Sequence, residues 1–328
     1  MIIDAHAHII VPEITRSSGE DGWRPHVYWE NGKQVIEFVG KQIKSAVREF
    51  VHLEGILEAQ SEAGIDRVLL CPWVSILNYD AQIEAGLRTS RIQNEALAML
   101  VQGHAGQVSA LGTVPLQDPD LAATEIVNLM KETGLKGVEV AASVQGVYLG
   151  DDRFRPFWSA AEETGALVFI HPTTRGFTAP VFNEYYLWNS LGNPVETTIT
   201  AAHMIMAGVM ESHPRLKILL AHGGGAILAL RGRLRHAHSF QPLAKSRLKE
   251  PVEASLKRFY YDTITHDPNL LGALIKYVGP DHVLLGSDYP FDMGAAYPTE
   301  IVRSLELSPA DEAKILGGNA VRLLNLSA

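Results

Sequence analysis

Short apolar or β-branched runs bounded by turn formers recur along the whole chain: Ile2 to Ile9, Arg67 to Trp73, Val108 to Pro115 and Gly137 to Ala142, then Leu167 to Pro172, Lys217 to Gly223, Phe259 to Ile264 and Val283 to Pro290. Each reads as a strand. Between them lie stretches with helical spacing, among them Leu53 to Ala63, Ala81 to Gln102, Leu121 to Thr133, Phe154 to Thr164 and Pro194 to Met210. Several close on glycine, as in Ala63-Gly64, Thr133-Gly134 and Thr164-Gly165, a common helix C-terminal signal. Eight strands alternating with helices predict a (β/α)8 TIM barrel occupying residues 1–328 as one domain. A doubly wound open sheet would want a glycine-rich dinucleotide turn after an early strand, and the sequence has none.

The alternation breaks once, between the first strand and the first helix, where residues 11–51 form an insertion. Asn31-Gly32 sits between alternating residues there, a strong hairpin signal, so a small β-hairpin is expected over the barrel mouth. A second long loop, Thr173 to Asn193, follows the fifth strand and is rich in aromatics. The chain has 328 residues, 46% hydrophobic and 20% charged, enough apolar material for a large core. With 28 Lys+Arg against 37 Asp+Glu, the formal charge of −9 argues against nucleic-acid or anionic-membrane partners. No apolar stretch approaches the roughly 20 residues that cross a bilayer, and the N-terminus lacks the pattern of a signal peptide. A soluble, cytoplasmic protein is expected. One cysteine, Cys71, rules out a disulfide framework and any all-cysteine zinc site, so a bound metal must be held by His, Asp and Glu.

Their placement supplies the candidate chemistry. His6 and His8 lie two apart in the first strand and project to one face. His171 closes the fifth strand, His222 the sixth and Asp288 the eighth. In a barrel, the C-terminal strand ends are where catalytic groups gather. Imidazoles and a carboxylate together suit zinc or a similar divalent ion with three or four protein ligands and an open position for water. Such an ion makes hydroxide available near neutral pH, and a further histidine, such as His222, can move a proton beside it.

The patterns Asp4-x-His6-x-His8, Phe169-Ile170-His171-Pro172, Ala221-His222-Gly223-Gly224-Gly225, Tyr261-Asp262-Thr263 and Leu285-Gly286-Ser287-Asp288-Tyr289-Pro290-Phe291 resemble the amidohydrolase superfamily. The similarity is to amidohydrolase-related family 2, in the branch with aminocarboxymuconate-semialdehyde and resorcylate-type decarboxylases, and it runs from residue 4 to about residue 320. The resemblance implies one divalent metal, usually zinc with manganese as the alternative, held by His6, His8, His171 and Asp288, with His222 as acid/base beside metal-bound water. Two-metal relatives carry a bridging lysine or acid at the end of the fourth strand; here only Glu139 offers itself. The resemblance further implies a homodimer in which Arg233 reaches the neighbouring subunit's site to bind a substrate carboxylate. A second carboxylate binder would be Lys44 or Arg48, in the insertion. Trp188 and Phe291 are expected to wall the pocket, with Trp73 a weaker addition. Asp262 reads as a buried hydrogen-bonded carboxylate, and His266, just past the seventh strand, stays open between surface and site.

His-Gly-Gly-Gly also occurs in oxyanion holes of esterases, but no serine here has glycine two residues before it, so a nucleophile elbow is missing. The glycines are expected to let the backbone pass close to substrate. The function expected is non-oxidative decarboxylation of a small unsaturated or aromatic carboxylic acid, with His222 and Asp288 handling protons. The alternative is a hydrolase or hydratase acting on a lactone, amide or C=C bond with the same metal site. A catalytically silent metal-binding scaffold is the reading from a different class, and His222 argues against it.

Overall fold

The computed structural model describes residues 1–15, 26–31, 33–38, 41–45, 52–173, 177 and 179–326. All eight expected strands are present: β1 (Ile3–Ile9), β2 (Arg67–Pro72), β3 (Val108–Ala110), β4 (Gly137–Ala141), β5 (Leu167–His171), β6 (Lys217–Leu220), β7 (Tyr260–Asp262) and β8 (Val283–Leu284). They pair in parallel as a three-stranded part, β1-β2-β3, and a five-stranded part, β4-β5-β6-β7-β8. Two isolated parallel bridges, Gly112 to Val138 and Ala7 to Tyr289, join these parts into a closed barrel. Backbone hydrogen bonds sew both seams. Ala5 N donates to Leu285 O at 2.8 Å and His8 N to Tyr289 O at 2.7 Å on one side; Gly112 N donates to Gly137 O and Glu139 N to Gly112 O, both at 2.9 Å, on the other.

One helix shows how sequence sets an element. The helix Pro119–Glu132 starts at Asp118, whose carboxylate accepts from Leu121 N, and has proline in its first turn, where no amide donor is needed. Ala122, Ile126 and Leu129 recur on one buried face, and the chain leaves through Gly134 at φ +76°. Burying Ile126 and Leu129 contributes about 1.5–3 kcal/mol each. Between β4 and β5 the approach is so close that a Cβ on Gly137 would lie 1.9 Å from Leu167 O. The helix expected over Pro194 to Met210 is in fact two, Asn193–Met206 and Val209–Ser212, because Gly208 takes a left-handed turn at φ +70° between them.

In the insertion, His26–Glu30 and Lys33–Phe38 pair antiparallel, Glu30 opposite Lys33, with Asn31 in a turn after the first of them; Gly32 lies outside the described residues. A third strand, Lys41–Ser45, continues the sheet on the far edge of Lys33–Phe38. Among the described residues no helix is long and apolar enough to cross a membrane.

Candidate metal centre and active site

Strand ends deliver the chemistry to one point. β1 presents His6 and His8, β5 ends on His171, and the segment after β8 carries Asp288; all four side chains are buried. One ligand atom from each lies within 4.8 Å of every other. His6 Nε2 and His8 Nε2 are 3.0 Å apart, and Asp288 Oδ1 is 3.2 Å from the first and 3.3 Å from the second. His171 Nε2 is 3.9 Å from the same oxygen. The pairing of β1 with β2 shifts register between Asp4 and Ala7, a local irregularity right where the two histidines are aimed.

The opposite edge of each ring is anchored. His6 Nδ1 donates to Asp262 Oδ2 at 2.7 Å, and His171 Nδ1 donates to Pro172 O at 3.0 Å. Those bonds put the proton on Nδ1 and leave Nε2 as a lone pair, the tautomer a metal ligand requires. Two converging atoms, His171 Nε2 and Asp288 Oδ1, are buried without a hydrogen-bond partner among the described residues. Buried polar atoms rarely stay unpaired, so both await a partner.

The charges give the same account. Burial resists a charge on His6, yet the Asp288 and Asp262 carboxylates overcome it and raise that imidazole to about 10. Burial pushes His171 down to about 3 and lowers His8 as well. Asp288 is held well below the carboxylate range despite its burial, chiefly by the charge of His6 and then by the neighbouring His171 and His222 rings. The carboxylates thus demand positive charge where burial opposes putting it on the rings. A divalent cation on the three Nε2 atoms and Oδ1 satisfies both, and the His₃Asp donor set fits it.

His222 stands beside this cluster, with Nε2 3.3 Å from Asp288 Oδ2. Its backbone is fixed by Asp262, which accepts from His222 N at 2.8 Å and from Gly223 N at 2.7 Å. Asp262 therefore holds the His6 ring and the His222 backbone together. Both His222 and Asp288 have left-handed backbones, φ +57° and +58°, a strained geometry for residues with a Cβ and typical of functional positions. Asp4, expected only as part of the first-strand pattern, is buried beneath. It accepts from Gln60 Nε2, Ser287 N and the Ser287 hydroxyl, and so ties β1 to the segment that carries Asp288.

Several expectations need correction. The glycines after His222 do not simply clear room for substrate. A Cβ on Gly225 would lie 2.1 Å from Pro194 O, one on Gly224 2.7 Å from the Tyr261 ring, and one on Gly223 2.7 Å from the Thr265 methyl, so the protein itself fills those spaces. Glu139 is fully buried but lies behind His8, with Oε2 3.7 Å from Nδ1, the ring edge that faces away from the cluster. Burial pushes its carboxyl well above the usual range. Trp73 is buried in the core.

A cavity of about 180 Å³ opens from His222 and Asp288 past Asn189, Ser190, Ile264, Thr265, His266 and Met293. Phe291 packs edge-on against His8 with ring centres 5.1 Å apart. Trp188 does not line this cavity; it is 42% exposed and stacks edge-on with Tyr186, whose hydroxyl donates to Asp292. Arg233 is exposed on the helix Ile227–Phe240. Arg48 and the side chain of Lys44 lie outside the described residues. Asn189, Ser190, Thr265 and Met293 carried no sequence signal, because polar loop residues are ordinary until the fold brings them together.

Residues 3–326 match the model of the Amidohydro_2 amidohydrolase family. A 2-amino-3-carboxymuconate-6-semialdehyde decarboxylase of Dictyostelium discoideum is 28% identical over 330 residues, covering 99% of this chain and 91% of its own. A gamma-resorcylate decarboxylase of Rhodococcus jostii (strain RHA1) is 25% identical over 97% of each chain. Among solved structures, the 5-carboxyvanillate decarboxylase of Sphingomonas paucimobilis superimposes with a TM-score of 0.84 at 24% identity, over 99% of both chains. The 5-carboxyvanillate decarboxylase of Novosphingobium aromaticivorans, complexed with manganese and 4-hydroxy-3-methoxy-5-nitrobenzoic acid, gives 0.84 at 22% identity over 99% of this chain and 96% of its own. A match over nearly every residue, on a barrel whose strand ends converge on a His/Asp cluster, means that this chain belongs to the amidohydrolase family and fits its aminocarboxymuconate-semialdehyde decarboxylase-like branch.

Proposed function

We propose that the protein is a metal-dependent, non-oxidative decarboxylase of a small unsaturated or aromatic carboxylic acid. The observation that carries this reading is the convergence of three imidazole Nε2 atoms and Asp288 Oδ1 beside His222, in a chain whose full-length relatives are decarboxylases. His6, His8, His171 and Asp288 would hold one divalent ion, zinc or manganese; manganese is present in the Novosphingobium relative. When bound, such an ion supplies Lewis acidity that stabilises negative charge on substrate oxygens. The bond to the carboxyl carbon breaks with its electron pair left on the substrate carbon, CO₂ departs, and a proton must arrive at that carbon. His222 would deliver it, and Asp288 Oδ2, 3.3 Å from its Nε2, would pass a proton back to His222. Asp262 keeps His222 at that distance by gripping its backbone.

Phe291, against the His8 ring, would hold a flat substrate over the cluster. The assembly we propose is a homodimer in which Arg233 enters the neighbouring subunit's site. Support comes from the exposure of Arg233 together with Leu230 and Phe240 on the same helix, and from the fit of a guanidinium fork to a carboxylate. We read residues 1–328 as one barrel domain with 11–51 inserted, working in the cytoplasm, which suits its single buried thiol. CO₂ release from carboxylated muconates and hydroxybenzoates by zinc- and manganese-loaded protein tests the reading. No release across the panel, with lactones or amides turned over instead, would replace the decarboxylase with a hydrolase.

A further inference from the structure

Three residues with side chains adopt left-handed backbone just beyond three successive barrel strands: His222 after β6 at φ +57°, His266 after β7 at +53° and Asp288 after β8 at +58°. All three line the same cavity. Two are the proposed proton-handling residues, and the third has no part in the chemistry above. Glycine or asparagine would take this backbone more cheaply, so a histidine there needs a reason.

The neighbours of His266 supply a structural reason for themselves but not for its ring. The Thr265 hydroxyl donates to Asp267 O at 2.9 Å, and Asp267 caps the helix Pro268–Val278 by accepting from Asn269 N at 2.8 Å and Leu270 N at 3.3 Å. The His266 imidazole has no hydrogen-bond or ion-pair partner among the described residues. It is exposed, and it stands at the cavity wall next to Thr265. A strained residue at the wall of a site, whose polar side chain pairs with nothing among the described residues, is positioned for a ligand.

Resting on the decarboxylase reading, we infer that His266 is a specificity-determining residue that hydrogen-bonds an oxygen substituent of the substrate. The imidazole can donate to or accept from a hydroxyl on the ring or unsaturated chain, while the cluster holds the reacting carboxyl. A site built to pair a hydroxyl discriminates against the analogue that lacks it, because its own polar group is then left unpaired.

The test uses two compounds that cannot lose CO₂, 2-nitroresorcinol and 2-nitrophenol, which differ by one hydroxyl. Their binding to metal-loaded wild type, His266→Asn and His266→Gly is measured by calorimetry. Both replacements suit the left-handed backbone, so melting temperatures at or above wild type are expected and folding is kept. Wild type should prefer 2-nitroresorcinol by about fivefold or more, the worth of one hydrogen bond, and both variants should lose that preference while binding 2-nitrophenol unchanged. A preference retained in the variants, absent from wild type, or lost through equal weakening of both compounds would overturn the inference, as would no binding of either compound. CO₂ release from the panel is scored separately: its absence, with the hydroxyl preference present and dependent on His266, counts against the decarboxylase reading alone.

Discussion

Asp262 accepts four hydrogen bonds at the centre of the site, from the His6 ring and from the amides of His222, Gly223 and Ile264, and together they ask for a full carboxylate. Asp262→Asn offers one oxygen and turns an NH₂ toward a donor. Metal affinity should fall about 10- to 100-fold, as losing the outer partner of a ligating histidine typically costs, and chelator competition measures it. His222→Asn should behave in the opposite way, keeping its metal by elemental analysis while CO₂ release drops by about 10²- to 10⁴-fold. A parallel loss of metal in both variants would mean that His222 is a ligand. The five chemistry-bearing residues were legible because side chains alternate along a strand and strand ends meet at one barrel face. The bonds that orient them were not. Asp262 could be recognised as a buried carboxylate, but its hold on two different histidines depends on β7 lying between β6 and β8 and next to the turn after His222.

At the scale of elements, that turn shows why a glycine run had two readings from sequence. Its glycines have positive φ and their missing side chains are replaced by Pro194, Tyr261 and Thr265, so the run is a packing joint between β6 and the helix beginning at Asn193. Gly225→Ala, whose methyl would lie 2.1 Å from Pro194 O, should lower stability by about 1–3 kcal/mol in denaturant unfolding and shift His222 with it, so that kcat falls while KM changes little. The strands were legible to within a few residues because runs of apolar residues between turn formers are the strongest local signal. The split of the helix at Gly208 was hidden inside a continuous apolar pattern. The third insertion strand, Lys41–Ser45, has only Ile43 as an apolar residue and no alternation to announce it.

For the molecule as a whole, acid sensitivity follows from its outer ion pairs. Glu250, despite a desolvation cost, is held below its ordinary 4.5 by Arg258 and the Ser255 hydroxyl. A depressed carboxylate contributes stability above its unfolded-state pKa, and loses it as pH falls through the folded value. Arg258→Ala should therefore lower the melting temperature at pH 7, by no more than the equivalent of about 1 kcal/mol at this partly exposed site, and the difference should shrink as pH falls below 4.5 and Glu250 takes up its proton. Assembly has a sharper test. If Arg233 serves the neighbouring subunit, mixing His222→Asn with Arg233→Ala protein, each inactive alone, should restore part of the CO₂ release as subunits exchange; additive inactivity would show that each site is complete within its own chain.

The two seams of the barrel give the metal site a mechanical meaning. His6 and His8 belong to the three-stranded part and His171 and Asp288 to the five-stranded part, with the seam between Ala7 and Tyr289 running beside them. An ion held by all four would rivet the two sub-sheets together, much as a bolt closes a hinge. The amides of Ala5, His8 and Asp288, which bridge that seam, should then exchange with deuterium more slowly in metal-loaded than in chelator-treated protein, whereas Gly112 and Glu139 on the far seam should respond less.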